Sequence, residues 1–266
     1  MKGIIGAICG DIIGSTREFN PIKSKDFELI PENSSFTDDT VLTLALASWL
    51  IKDESKSKEI LIKEIKDICN MYPYIGYGGR FNQWIKSDNK QPYNSWGNGS
   101  AMRVSPVSWV GNSLEEVENL AKISAEVTHN HPEGIRGAVS VAASIYLART
   151  GENKYTIKKY VEDNFAYNLS RKLDSFRSDY SFEVSCQKSV PESIICFLEA
   201  DSYEETIRNA VSLGDDADTQ AAIAGSIASA YYDVPDSIYL QCLSKLDDNL
   251  LNISDNFYNI FIKNKE

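Results

Sequence analysis

Two short acidic motifs stand at the starts of apolar segments. Thr37-Asp38-Asp39 precedes residues 40–52, which are apolar on nearly all faces of a helix, and Asp216-Ala217-Asp218-Thr219 leads into the alanine-rich residues 219–231. Both patterns predict buried helices that open with a pair of carboxylates. An ordinary helix start would explain either motif alone, because threonine caps helices and acidic residues complement the helix dipole.

The sequence around these carboxylates favours a metal site. Neither residues 36–51 nor residues 211–230 contain a lysine or an arginine, so no basic side chain nearby in sequence can neutralise them. Burying unpaired carboxylates costs far more than capping returns, which leaves protonation, surface exposure or cation binding. Carboxylates with threonine hydroxyls suit Mg²⁺, Mn²⁺ or Ca²⁺ better than zinc. If the two helix starts meet in space, we expect a site for two cations.

Glycine-rich segments supply candidate positions for a ligand. Residues 76–80 and 95–100 offer backbone amides, a hydroxyl and aromatic faces, which suit a diphosphate and a base or ribose. Ordinary glycine turns would explain the same segments. Glu18 follows a glycine turn and is either a surface residue or a catalytic acid. Arg103 is either a structural ion-pair residue or a phosphate clamp.

The elements that must position these residues are predicted to be helical. Glycines at spacings of three and four predict an N-terminal helix with a smooth face, ending near residues 11–14. Apolar periodicity or alanine-rich composition predicts further helices over 40–52, 59–71, 114–127, 134–149, 155–165, 191–199, 203–212, 219–231 and 236–248. Strand alternation is sparse, so we predict an all-α fold.

Composition limits the class of protein. The 266 residues contain no repeat or linker-like tract, so we predict one domain over 1–266 with a peripheral excursion near 150–190. No apolar run reaches the length of a membrane span, and a net charge of −11 argues against direct nucleic-acid binding. The N-terminal residues lack a signal-peptide cleavage pattern, which predicts a cytoplasmic protein. The 5 cysteines form no CxxC pair and are expected to be free thiols.

Several motifs, taken in chain order, resemble those of the ADP-ribosylglycohydrolase family. They are Gly10 to Glu18, Thr37 to Thr40, Trp96 to Arg103, Thr128-His129 and Gly214 to Thr219. The ordered set, spread over residues 3 to about 232, is more specific than any one motif. The resemblance implies a compact, single-domain orthogonal helical bundle that cleaves the glycosidic bond between ADP-ribose and an acceptor. The implied partner is an ADP-ribosylated protein or another ADP-ribose conjugate.

The resemblance also implies roles for individual residues. The ligands of two Mg²⁺ or Mn²⁺ ions would be Thr37, Asp38, Asp39, Asp216, Asp218 and Thr219. The catalytic set would be Glu18, as the proton carrier, with Asp38, Asp39 and Asp216. The substrate contacts would be Gly78, Ser95, Trp96, Gly97, Asn98, Gly99 and His129. Asp215 stands where the family usually has glycine, and it either points into solvent or adds charge beside the ligands.

Two other functions stay open at the level of sequence. A catalytically silent ADP-ribose-binding or immunity module would be marked by lost metal ligands, and none of the six is missing. A metal-dependent phosphohydrolase is the other, because Asp216-Ala217-Asp218-Thr219 resembles the nucleophile motif of haloacid-dehalogenase-like enzymes. That motif follows an apolar strand near the N-terminus, whereas here it precedes a helix late in the chain. Linkages of ADP-ribose to arginine, serine or a nucleobase are all compatible with the motifs.

Overall fold

The computed structural model describes residues 2–263, which fold almost entirely into helices. The α-helices, in chain order, are α1 (Ile5–Gly14), α2 (Asp38–Lys52), α3 (Lys58–Met71), α4 (Gly79–Lys86), α5 (Gly99–Met102), α6 (Ser105–Val110), α7 (Leu114–Glu126), α8 (Pro132–Arg149), α9 (Lys154–Phe165), α10 (Cys186–Leu198), α11 (Tyr203–Val211), α12 (Ala217–Tyr231), α13 (Asp236–Leu243) and α14 (Asp248–Phe257). A 3₁₀ turn covers Leu173–Ser175 and a π-helix covers Tyr258–Ile262. No strand occurs within residues 2–263, where the isolated bridge pairs Gly97 with Ser185. The all-α prediction is confirmed.

Most helices lie within two residues of their predicted bounds, but two predictions were wrong. The helix predicted from Pro191 begins at Cys186 instead, and Pro191 lies inside it. Burial of Cys186 and Val190 shows that packing carries the helix across the proline. The helix predicted over 236–248 is divided, because Asp247 caps a new helix by accepting from the Leu250 amide at 3.0 Å. The short helices α4 and α6 were not predicted. Helix α6 has 6 residues, too few to show periodicity, whereas the helical spacing of Phe81, Trp84 and Ile85 in α4 was overlooked.

Helices α1 and α12 approach so closely that glycine is required between them. A Cβ atom built on Gly10 would lie 2.1 Å from the carbonyl oxygen of Ala221, and one on Gly14 would lie 2.4 Å from the Cα of Asp218. Real Cβ contacts are never this short, so any side chain would force the helices apart. The predicted smooth glycine face is confirmed. Because it touches Asp218 directly, it also fixes where the second acidic motif lies.

Helix α2 runs through the core. Its residues from Asp39 to Leu50 are all buried, including Trp49, and it packs against α1, α3, α6 and α14. Such burial on every face agrees with its apolar sequence and anchors the first acidic motif at its N-terminus. The starts of α2 and α12 therefore meet near the C-terminal end of α1.

Four further sequence predictions can be compared with the structure. Residues 166–185, within the predicted peripheral excursion, hold no helix longer than the 3₁₀ turn at Leu173–Ser175. Met1 and residues 264–266 lie outside the described part of the chain, so a single domain over 1–266 stays a prediction. All five cysteines are free and buried, as expected. None of the described helices is long and apolar enough to cross a membrane.

Replacing Gly10 with alanine tests the close packing of α1 on α12. Gly10→Ala places a methyl group against the carbonyl oxygen of Ala221, and we expect a loss of about 1–3 kcal/mol of unfolding free energy, measured by urea denaturation. Gly79→Ala is the matched control, because a Cβ atom at Gly79 would have nothing within 4 Å and should be neutral or slightly stabilising. Equal losses in both variants would contradict this account of the glycine face.

Candidate metal centre and ligand cavity

The two acidic helix starts meet at the C-terminal end of α1. The Thr219 hydroxyl donates to Asp39 Oδ2 at 3.3 Å, which joins the start of α12 to the start of α2. Asp11, Asp39 and Asp218 each offer a carboxylate oxygen within 4.8 Å of the other two, and all three residues are buried. The starts of α2 and α12 are therefore close enough to contribute ligands to one site.

A second carboxylate group adjoins the first. Glu18, Asp216 and Asp218 also bring one oxygen each within 4.8 Å of one another. Asp218 belongs to both groups, so the two positions are neighbours. Asp38 lies close enough to both groups that the charges of Asp11 and Asp216 raise its pKa. Either group offers the oxygen donors that a hard divalent cation prefers.

Burial and mutual repulsion disfavour the ionised forms of these acids. Burial is the largest cause of the raised pKa of each acid, and neighbouring carboxylates raise it further for all of them except Asp11. The pKa of Glu18 is raised to about 7 and that of Asp38 to about 8. The pKa values of Asp39 and Asp218 are raised well above their ordinary range for the same reasons. Asp39 Oδ1 is buried and has no hydrogen-bond partner within the described chain. A divalent cation would fit here, because it would satisfy that oxygen and offset the repulsion.

Asp11 occupies a central place that the sequence prediction missed. Its Oδ2 accepts from the amides of Thr37 at 2.9 Å and Thr40 at 3.1 Å, and its Oδ1 accepts from the Thr37 hydroxyl at 2.7 Å. Asp11 therefore holds the first turn of α2 against α1. A signal was available, because Asp11 is an acid inside an apolar, glycine-faced helix without a basic neighbour in that helix.

Thr37 serves as the N-cap of α2. Its hydroxyl accepts from the Asp39 amide at 3.3 Å and donates to Asp11. These contacts place the hydroxyl beside the carboxylates, and it is not among the atoms that line the cavity described next. Its role as a metal ligand stays a prediction.

A cavity of about 390 Å³ opens onto the carboxylates. The predicted site residues that line it are Glu18, Asp38, Asp39, Gly78, Ser95, Gly97, Asn98, Gly99, His129, Asp216, Asp218 and Thr219. The glycine-rich segments thus face the same space as the acidic motifs. Phe182 and Val184, from the segment predicted to be peripheral, also line the cavity.

Trp96 lies outside the lining, although the sequence prediction gave it a substrate contact. Its side chain is 49% exposed and meets the His131 ring edge-on at 5.8 Å. Trp96 lies in a turn in which Ser95 Oγ accepts from the Gly97 amide at 3.2 Å. Aromatic surface comes instead from Phe81, Tyr93 and Phe182, none of which was predicted. A contact between Trp96 and substrate stays a prediction.

Asn98 joins the glycine loop, residues 97–99, to the carboxylates. Its side-chain amide donates to Asp216 Oδ2 at 2.6 Å, and its backbone amide donates to the Val184 carbonyl at 2.8 Å. The loop is thus held between the acidic centre and the chain segment that ends at α10. Groups bound at the loop and at Asp216 would share this connection.

Asp215 lies beside the second carboxylate group but outside the cavity. It adopts a left-handed backbone conformation with φ of 62°, is half-buried and does not line the cavity. Its charge acts on Lys23, whose amine donates to the Tyr180 carbonyl at 2.6 Å. The same charge contributes to the raised pKa of Asp216, so Asp215 adds negative charge beside a predicted ligand without entering the cavity.

Fold and site together define an all-α protein with a ligand cavity that ends in two adjoining carboxylate groups. The sequence profile of the family described as ADP-ribosylglycohydrolase matches residues 1–266. The chain therefore belongs to the ADP-ribosylglycohydrolase family, which makes it a glycohydrolase.

Relatives extend the likeness over most of the chain. The chain is 26% identical to ADP-ribosylhydrolase ARH3 of Homo sapiens, covering 90% of this chain and 87% of that protein. It is 25% identical to ADP-ribosylarginine hydrolase Tri1 of Pseudomonas putida (strain GB-1), covering 87% of this chain and 70% of that protein. A solved structure named ADP-ribosylglycohydrolase-related protein complex shares the fold, with a TM-score of 0.75, 21% identity and coverage of 97% and 96% of the two chains.

The substitution Asp218→Asn tests whether the two carboxylate groups form a metal centre. Burial raises the pKa of Asp218, so its ionisation costs stability as the pH rises above its ordinary value of 3.8. In metal-free buffer at neutral pH, Asp218→Asn should therefore melt higher than the wild type, by about 2–4 °C for each kcal/mol relieved. Added Mn²⁺ should stabilise the wild type and leave the variant nearly unchanged, as measured by thermal denaturation.

Asp215→Asn is the matched control for that experiment. It removes the same charge from a neighbouring residue, and asparagine tolerates the left-handed conformation found there. Its gain in melting temperature with Mn²⁺ should equal that of the wild type. If Asp218→Asn gained as much as the control, the two groups would not be the metal centre.

Proposed function

We propose that the protein is a metal-dependent ADP-ribosyl hydrolase that cleaves the glycosidic bond between ADP-ribose and an acceptor. The observation that carries the proposal is the pair of carboxylate groups sharing Asp218 at the end of a cavity with a glycine loop. Family membership supports ADP-ribose as the group transferred to water. The names of the relatives support a conjugate of ADP-ribose as the substrate, with arginine as one candidate acceptor.

The proposed metal ligands are the six residues of the two acidic motifs. They are Thr37, Asp38, Asp39, Asp216, Asp218 and Thr219. Asp11 would support them, because its oxygens already accept hydrogen bonds from Thr37 and Thr40. When bound, two Mg²⁺ or Mn²⁺ ions would supply charge that neutralises the carboxylates, orients the ribose hydroxyls and makes water more acidic.

Glu18 is the proposed proton carrier. It lines the cavity and shares a group with Asp216 and Asp218, yet it lies on the loop after α1 rather than in either ligand motif. Because the Glu18 carboxyl group lines the cavity beside these two acids, it could take a proton from an attacking water and return one to the leaving acceptor of a bound substrate.

The glycine loop is the proposed diphosphate site. Residues 97–99 line the cavity together with Ser95 and His129, and Gly78 contributes to the same lining from a separate loop. The cavity volume of about 390 Å³ falls within the ordinary range for a small-molecule site. The bond between Asn98 and Asp216 would keep the diphosphate loop in register with the ribose end.

A panel of linkages tests the activity. With Mg²⁺ or Mn²⁺ present, we expect release of free ADP-ribose from at least one of arginine-, serine- or nucleobase-linked substrates, measured by mass spectrometry. Chelation should abolish release and added metal should restore it. Binding of ADP-ribose without release from any substrate would favour a binding module. Phosphate release from simple phosphoesters in place of ADP-ribose release would favour a phosphohydrolase.

Two ligand variants test the assignment of residues. Asp38→Asn and Asp216→Asn should each lower kcat/KM by more than about a hundredfold, because changes outside the ligand shell alone cost up to that factor. Asp215→Asn should keep turnover near that of the wild type, since Asp215 does not line the cavity. Near-native turnover in either ligand variant would exclude that residue from the centre.

A further inference from the structure

His129 sits in the cavity wall beside two buried polar residues. The ring is 5% exposed, and its Nδ1 lies 2.7 Å from the hydroxyl of the fully buried Thr128. Arg103, also fully buried, donates from Nη2 to the same hydroxyl oxygen at 2.8 Å. The three side chains form a short chain of hydrogen bonds that leads into the cavity.

The donor and acceptor at each of these hydrogen bonds follow from the chemistry of Arg103. A guanidinium group only donates, so Thr128 Oγ1 accepts from Arg103. If Oγ1 also accepted from His129 Nδ1, its own hydrogen would be buried without an acceptor, since no other partner for it occurs within residues 2–263. Such an orphaned donor costs about 1–3 kcal/mol. The Thr128 hydroxyl therefore donates to Nδ1, and the ring carries its hydrogen on Nε2.

Arg103 is fixed in the position that this direction requires. Nη2 also donates to the Ser124 carbonyl at 3.1 Å, and the guanidinium carbon lies 5.9 Å from the centre of the Phe81 ring. The described chain offers Arg103 no carboxylate partner, and its Nε and Nη1 have no hydrogen bond. Burial and the nearby positive charge both lower the pKa of His129, which keeps the ring neutral.

The protonated nitrogen faces the glycine loop. A Cβ atom built on Gly99 would lie 3.3 Å from Nε2, and one built on Gly97 would lie 3.7 Å away. Bare backbone at these two positions leaves room for a ligand atom beside Nε2. The ring nitrogen has no hydrogen-bond partner in the described protein, so its N–H is available to that atom.

We propose that Arg103 and Thr128 are positioning residues that lock His129 as the neutral Nε2–H tautomer, which gives the glycine loop one fixed hydrogen-bond donor. The acceptor is a phosphate oxygen, and this part rests on the proposed function. A ring with the opposite tautomer would turn a lone pair toward that oxygen and repel it. Arg103 also lines the cavity, but its hydrogen bond to Thr128 is the contact that orients His129.

Nitrogen NMR of labelled histidine tests the tautomer directly. The chain has 2 histidines, so His131→Gln assigns the signals. In metal-free, ligand-free protein we expect Nε2 of His129 to be protonated and Nδ1 to be unprotonated. A protonated Nδ1 in the wild type overturns the proposal, whether or not any variant folds.

Substitution of Thr128 tests the consequence for binding. Thr128→Val keeps the shape and removes the hydroxyl, so the Nδ1–H tautomer of His129 should become populated and ADP-ribose should bind about tenfold more weakly by calorimetry. Thr128→Ser should restore both. Thr206→Val is the matched control, because Thr206 is buried and its hydroxyl donates only to the Ser202 carbonyl, at 2.9 Å; both readouts should equal those of the wild type.

The two readouts separate this proposal from the proposed function. If the wild type bound no ADP-ribose, the proposed function would fail. The positioning role would then be tested by the NMR measurement alone, in which a protonated Nε2 of His129 supports it and a protonated Nδ1 overturns it. If the wild type bound ADP-ribose, and Thr128→Val kept both the tautomer and the affinity, the positioning role would be overturned.

Discussion

The distance between α1 and α12 is the constraint on which the rest of the site depends. Glycine at positions 10 and 14 lets the two backbones touch, and the second of these contacts is made with Asp218 itself. Asp11 lies between those glycines and binds the first turn of α2. One helix interface thus sets the separation of all three chain segments that carry carboxylates. Small residues here serve the geometry of the acidic centre as well as stability.

The fold was largely predictable because its signals are local. Periodicity and composition place most helices, and the missing basic residues around Asp38 and Asp216 indicated a shared need for positive charge. The parts that the sequence did not predict depend on tertiary contacts. Packing carries α10 across Pro191, and the contacts of Asp11 form only when α2 meets α1. Neither contact leaves a periodic trace in the sequence.

The carboxylate groups lower the stability of the folded protein and provide oxygen atoms that could bind a cation. Acids that are buried together raise one another's pKa, and Asp39 Oδ1 lacks any partner in the described chain. Such a centre weakens the folded state until a cation arrives, so metal binding and folding are favourable together. The glycine interface and the buried helix α2 supply the rigidity that keeps these side chains in place despite their repulsion.

The bond from Asn98 to Asp216 has a thermodynamic consequence. It ties the loop that borders the cavity to an acid that belongs to the second carboxylate group. Under the proposed function, a ligand that orders the loop would change the environment of Asp216, and a cation bound at Asp216 would change the orientation of the loop. Because coupling free energies are reciprocal, each binding event would alter the affinity for the other by the same factor. A 2.6 Å contact between one amide and one carboxylate would thus make cation and ligand occupancy interdependent.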